Sequence, residues 1–264
     1  MQKLARHVRF SINPFLPEDS AGCNPFASRP AGEGLSIFLE LCVEVAGDVD
    51  ADTGFVVNVT EIDTCVRAFV VPLFAKRIRD DFRDGRHMET SAMAELLGSA
   101  WTRLTDKFGA AVLSRLILKL NPVRHISLDS EDLTMLYFGE KFEFAATHKL
   151  WNDEFSDQRN FEVFGKCANP SGHGHNYIVE VTVKTAEPGA FRIGRFERLV
   201  DQALIKVVDH KNLNVDVAEF GRTMPTVENI ARFAWDRLAD KFGRATLHCV
   251  TVWETDKTYS SYYG

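Results

Sequence analysis

A nine-residue phrase is written twice in this chain. Trp101-Thr-Arg-Leu-Thr-Asp-Lys-Phe-Gly109 returns as Trp235-Asp-Arg-Leu-Ala-Asp-Lys-Phe-Gly243, an offset of 235 − 101 = 134. Gly32-Glu33-Gly34-Leu35 stands against Gly172-His173-Gly174-His175 at 172 − 32 = 140, and Thr60-Glu61-Ile62-Asp63 against Arg198 to Asp201. Similar offsets in the same order mark a duplicated domain, and two copies are too few for a solenoid. The join falls in the polar stretch around Ser130-Glu131-Asp132, giving domains 1–132 and 133–264.

Whatever one half folds into, the other must be able to copy. The second half reads strand, strand, helix, helix, strand, strand. Phe142 and Phe144 open an alternating segment that reaches His148, and Tyr177 to Val183 alternates again. Phe196, Leu199, Val200, Ala203, Leu204, Val207 and Val208 then follow helical spacing. Thr226 is placed to cap a second helix carrying Ile230, Phe233, Ala234 and Leu238 on one face, with Gly243 to end it. Thr246 to Thr255 and Thr258 to Tyr263 read as a hairpin around Asp256-Lys257. The first half repeats the order, with Leu35 to Val45 as a strand and Ile62, Val66, Phe69 and Leu73 as the first helix stripe. Helices gathered on one side of an antiparallel sheet give an α+β fold, built twice.

Charge narrows the function. A net charge of −6 leaves no basic field for nucleic acid or an acidic membrane. Any anionic substrate therefore needs a local cluster of cations. Five scattered cysteines read as reduced thiols rather than a disulfide frame. With no apolar leader and no bilayer-length run, the expected location is the cytoplasm.

The chemistry concentrates in the second half. His173 and His175 lie at i and i+2 on an extended segment, so both rings leave the same face. His148 ends the neighbouring strand and supplies a third imidazole. Three histidines with one open position suit a catalytic zinc. Cys167 lies a short loop before the pair; a nearby cation, Lys166 and backbone amides would favour its thiolate, a general base. As a fourth ligand it would instead close the site and leave a structural zinc. Asp209-His210 ends the first helix as a carboxylate beside an imidazole. Glu254 is an acid in an otherwise apolar strand, costly there unless paired or meeting a ligand. Its two oxygens match the adjacent N–H donors of an amidine-like heterocycle such as a pterin or guanine.

Cys167-Ala-Asn-Pro-Ser-Gly-His173-Gly-His175-Asn-Tyr177, Val208-Asp209-His210-Lys211-Asn212-Leu213, Pro225-Thr226-Val227-Glu228-Asn229 and Val252-Trp253-Glu254-Thr255-Asp256 together resemble the 6-pyruvoyl-tetrahydropterin synthases. The resemblance covers roughly the second half. It implies the T-fold (tunnelling fold), a four-stranded antiparallel sheet with two helices, here in tandem. It also implies Zn2+ on His148, His173 and His175, Cys167 as general base, Asp209-His210 as its relay, and Glu254 anchoring the pterin with Thr226 close by. The implied substrate is 7,8-dihydroneopterin triphosphate, rearranged by internal redox with loss of triphosphate. Lys149, Lys166, Lys211 and Arg159 stand near these motifs as candidates to steer the triphosphate.

The 6-carboxy-tetrahydropterin synthases of the same superfamily use similar residues and the same substrate, with a shorter cysteine-to-histidine spacing. A third reading is a non-catalytic zinc- or pterin-binding module. The first half lacks the ligands: Glu33 and Leu35 stand for His173 and His175, Pro14 falls near the counterpart of His148, Val71-Pro72 replaces Asp209-His210, and Leu120 replaces Glu254. Cys23-Asn24-Pro25 is a faint echo of the cysteine loop. This half reads as a degenerate T-fold, and the chain as a homo-oligomer, either three tandem copies that mimic a hexamer or a larger assembly.

Overall fold

The computed structural model describes residues 1–16 and 21–264. It divides into two compact units: Met1–Phe138 with Thr185–Phe191, and Gly139–Lys184 with Arg192–Gly264. The division falls inside the strand Asp132–His148 and again before the last residue of the strand His173–Thr185.

The first unit opens with β1 (Gln2–Ile12) and β2 (Ile37–Gly47). Next come α1 (Val59–Cys65), a π-helical turn (Val66–Val70), α2 (Val71–Arg83) and α3 (Thr90–Leu104). β3 (Val112–Asn121) and β4 (Arg124–Asp129) complete it. β1 pairs with β2, β2 with β3 and β3 with β4, all antiparallel. Phe10, Ile12, Leu39, Leu41, Val43, Leu116 and Leu118, alternate residues of their strands, are buried under the helices. On the opposite face Glu40 lies across from Arg9 in one neighbouring strand and Lys119 in the other. Its carboxylate takes Arg9 at 2.6 Å, Lys119 at 2.6 Å and His7 at 2.9 Å. Burial alone would raise the Glu40 pKa, but Lys119, Arg9 and His7 outweigh it and bring it down to about 2.

The second unit repeats the order. β5 (Asp132–His148) enters it at Gly139; α4 (Asp157–Phe164) and a 3₁₀ turn (Gly165–Ala168) lead to β6 (His173–Thr185). α5 (Ile193–Val200), a π-helical turn (Asp201–Ile205) and α6 (Lys206–Val208) form the first helical run. The short β7 (Lys211–Asn212) and α7 (Leu213–Asp216) follow. α8 (Val227–Leu238), β8 (Thr246–Thr255) and β9 (Thr258–Tyr262) finish the unit. The strand order is β5-β6-β8-β9, with β7 parallel to the edge of β5. Two copies of one ββααββ plan make this a tandem T-fold.

The duplication reaches irregular features as well. The π turns begin at Val66 and Asp201, 201 − 66 = 135 apart. A β-bulge at Lys119/Asn121 recurs at Trp253/Thr255, and one at Glu44/Val45 recurs at Thr182/Val183. The last pair sets the offset of the second strand at 182 − 44 = 138, not 140. By that register Leu35 and Ile37, rather than Glu33 and Leu35, are the counterparts of His173 and His175.

Two further expectations are corrected. Phe69 is 39% exposed, while Val70, Val71 and Phe74 are buried. The π turn adds a residue to one turn, so the apolar stripe slips past Phe69. α8 ends at Leu238, not Gly243: Ala239 leaves helical geometry and Asp240 adopts φ 58°. Gly243, at φ 67°, serves the turn into β8.

Candidate metal centre

The site is built from the ends of β5, β6 and β8 in the second unit. Period-two alternation carries Phe144 and Ala146 into the core, and His148 with them, so that residue is 1% exposed. The same alternation puts His173, His175 and Tyr177 on one face of β6. Phe144 stacks on Tyr177 at 4.9 Å, and the Tyr177 ring stands edge-on to His148 and His175, walling the site from below. Gly172 is required where the chain enters β6: it sits at φ 70°, and a Cβ there would meet the His148 carbonyl at 2.9 Å.

The ligand atoms of His148, His173, His175 and Glu254 lie within 4.8 Å of one another, the one such group among the described residues. His148 Nε2 is 3.0 Å from His173 Nε2. Glu254 Oε1 is 3.3 Å from His148 Nε2 and 3.5 Å from His175 Nε2. Ligands held tetrahedrally on zinc at ordinary Zn–N and Zn–O lengths stand ~3.3 Å apart, so these separations fit. The hydrogen bonding fits as well. His148 Nδ1 donates to the Pro225 carbonyl at 2.7 Å, fixing the tautomer and leaving the Nε2 lone pair facing the cluster. His175 Nε2 is buried and without a hydrogen-bond partner. Burial, first of all, lowers the pKa of His148 and of His173, which favours the neutral rings a metal needs.

Cys167 lies outside this four-residue group, in the 3₁₀ turn, tied to the end of β5 by Leu150 N–H donating to its carbonyl at 2.9 Å. Burial raises the thiol pKa and the Glu254 charge raises it further, so these surroundings, without a cation, act against the thiolate expected from sequence. Tyr177 is pushed up as well, by burial and then by Glu254 and Cys167, and stays a phenol.

Asp209 and His210 form a separate dyad. Asp209 Oδ1 accepts from Ala145 N–H at 2.9 Å, and Oδ2 accepts from His210 Nδ1 at 2.9 Å. The Ala145 bond, then that of His210, lowers the Asp209 pKa. His210 is 83% exposed at φ 55° and makes no hydrogen bond to Cys167. A pocket of about 490 Å³ is lined by His175 of the cluster together with His210 and Lys211. Of the other basic candidates, Lys149 lies 3.8 Å over the Trp151 ring and Arg159 pairs with Glu162 at 3.5 Å. Thr226 caps α8, its Oγ1 accepting from Asn229 N–H at 3.3 Å.

Sequence reasoning missed two supports. Pro225 matters through its carbonyl, which no side-chain pattern announces. Asn214 clamps the residue after His148, accepting from Lys149 N–H at 2.7 Å and donating to its carbonyl at 2.9 Å. No helix is long and apolar enough to cross a membrane among the described residues.

The family model described as 6-pyruvoyl tetrahydropterin synthase matches residues 138–264, the stretch that holds all of these groups. The human 6-pyruvoyl tetrahydrobiopterin synthase is 38% identical over 128 residues, 47% of this chain and 88% of the human protein. The Drosophila melanogaster protein of that name is 40% identical over 126 residues, 46% of this chain and 75% of its own length. The solved Caenorhabditis elegans 6-pyruvoyl tetrahydropterin synthase is 30% identical, covering 49% of this chain and 96% of that one, with a TM-score of 0.45. Most of the length of the human relative is matched at this identity, across the segment that brings the three imidazoles together. The chain therefore belongs, through its second half, to the 6-pyruvoyl tetrahydropterin synthase family.

Proposed function

We propose that the chain is a zinc-dependent lyase that converts 7,8-dihydroneopterin triphosphate to 6-pyruvoyl-tetrahydropterin with loss of triphosphate. The convergence of His148, His173 and His175, with the Cys167 turn hydrogen-bonded to Leu150 just past His148, is the observation that carries this reading. These imidazoles would hold the ion, which when bound supplies a Lewis acid that polarises side-chain oxygens of the substrate.

The chain's own groups supply the rest. Cys167 takes a proton from a side-chain carbon and returns one to its neighbour, so the redox change stays inside the substrate and no nicotinamide or flavin is consumed. Asp209 holds His210 with Nδ1 protonated, leaving Nε2 to exchange protons. Because His210 is exposed and not bonded to Cys167 within one chain, the relay requires approach of the two, and a second copy can provide it. A homo-oligomer of tandem chains, with the first unit as silent scaffold, is the corresponding assembly. Glu254 and Thr226 face the pterin in this reading, and Lys166 and Lys211 are cations available to the triphosphate.

Incubation of the zinc-loaded chain with 7,8-dihydroneopterin triphosphate, followed by mass analysis, tests the proposal. Release of triphosphate with pyruvoyl-pterin is expected. Carboxy-pterin with acetaldehyde would assign the chain to the related synthases instead, and no turnover by folded, metal-loaded protein would leave a binding module.

A further inference from the structure

Glu254 occupies a peculiar place in its strand. β8 pairs Trp253 with Tyr259 and Thr255 with Thr258, so Glu254 is the extra residue of a bulge, without a partner in β9. Bulges bend a strand and re-aim the side chain they carry. The first unit keeps the same bulge at Leu120, flanked by Lys119↔His125 and Asn121↔Arg124. The distortion thus belongs to the shared scaffold, and the second unit has placed a carboxylate in it. That carboxylate is 19% exposed and takes no hydrogen bond from any described residue. Its Oε1 faces two imidazole nitrogens at 3.3 and 3.5 Å, the spacing of neighbouring vertices around one ion.

We infer that Glu254 is a displaceable fourth metal ligand: Oε1 closes the resting site, and an incoming substrate oxygen takes its place. The inference rests on the metal reading given above. Three neutral imidazoles leave a bound divalent ion with its full charge, and one carboxylate oxygen halves it. Nothing else fixes the side chain, since no donor holds Oε2 and the bulge leaves the residue outside the ladder with β9. The exchange is one oxygen for another, with no change of oxidation state. It gives the site two states, closed without substrate and open with it, and shields the ion from stray anions.

Cobalt(II) in the full-length chain reads this directly, with azide as a probe of vacancy. In the wild type the cobalt absorption bands are expected to resist azide. In Glu254→Ala they are expected to shift, with azide bound at least about tenfold more tightly. Outer-sphere partners of metal ligands contribute 10–100-fold to affinity, so loss of a direct ligand should weaken cobalt binding by at least about tenfold. Glu254→Gln, which preserves size and hydrogen-bonding capacity, should resemble the alanine variant, and it serves if alanine disturbs the fold. Equal azide and cobalt affinities in wild type and variants would overturn the inference while leaving the three-histidine site intact. A folded wild type that binds no cobalt would sink both.

Discussion

Thr226→Ala couples the fold to the metal centre, and its effect can be worked out from a short chain of bonds. Thr226 Oγ1 accepts from Asn229 N–H at 3.3 Å, and the Asn229 amide donates to Met224 O at 2.9 Å. Between them stands Pro225, whose carbonyl receives the Nδ1 proton of His148 at 2.7 Å. Removing a helix cap costs about 0.5–2 kcal/mol, and the long bond here places the loss near ~1 kcal/mol. Fraying of the first turn of α8 would also loosen the carbonyl that orients a buried ligand. Losing such a partner outright lowers metal affinity 10–100-fold, so partial loosening should cost up to about tenfold. Urea unfolding of the chelator-treated chain gives the first quantity, and zinc competition against a chromophoric chelator gives the second. Thr226→Ser should restore both. A variant that loses stability but binds zinc as before would refute the coupling, and unchanged stability would refute the cap.

Cys167→Ala should abolish turnover while keeping stoichiometric zinc, because the sulfur lies outside the ligand group; elemental analysis and product assay check the two halves. The pKa values of His148 and His173 are lowered from 6.5 in the folded chain, so the unfolded chain binds more protons just below that pH. Stability of the metal-free protein should therefore be full above pH 6.5 and fall as the pH drops below it, as urea midpoints across pH 5–8 would show; a midpoint that stays level or climbs as the pH is lowered from 6.5 to 5 would contradict this. Glu40 is lowered from 4.5 to about 2, so its contribution is present above pH 4.5 and lost as pH falls toward 2. Glu40→Gln should cost roughly 1–3 kcal/mol at pH 7, discounted for the exposure of its partners, with little effect on zinc affinity.

The histidine pair and its third partner were legible because strand periodicity is a rigid rule. Once His173, His175 and His148 are placed on neighbouring strands, their convergence follows. The duplicated plan was legible from the repeated phrase, and the cap at Thr226 from its residue type. What sequence concealed was local geometry. A π turn moves the buried stripe from Phe69 to Val70 without any compositional mark. A bulge turns Glu254 toward the imidazoles, and periodicity has no way to announce an extra residue. The carbonyl of Pro225 is invisible for a third reason: every residue has a carbonyl, and only the fold selects one.

Metal content of the purified chain tests the central claim most directly. One zinc per chain is expected by elemental analysis after exhaustive dialysis, falling to none in His148→Ala and in His173→Ala/His175→Ala. A folded wild type free of zinc after loading, or variants that keep a full equivalent, would contradict the account.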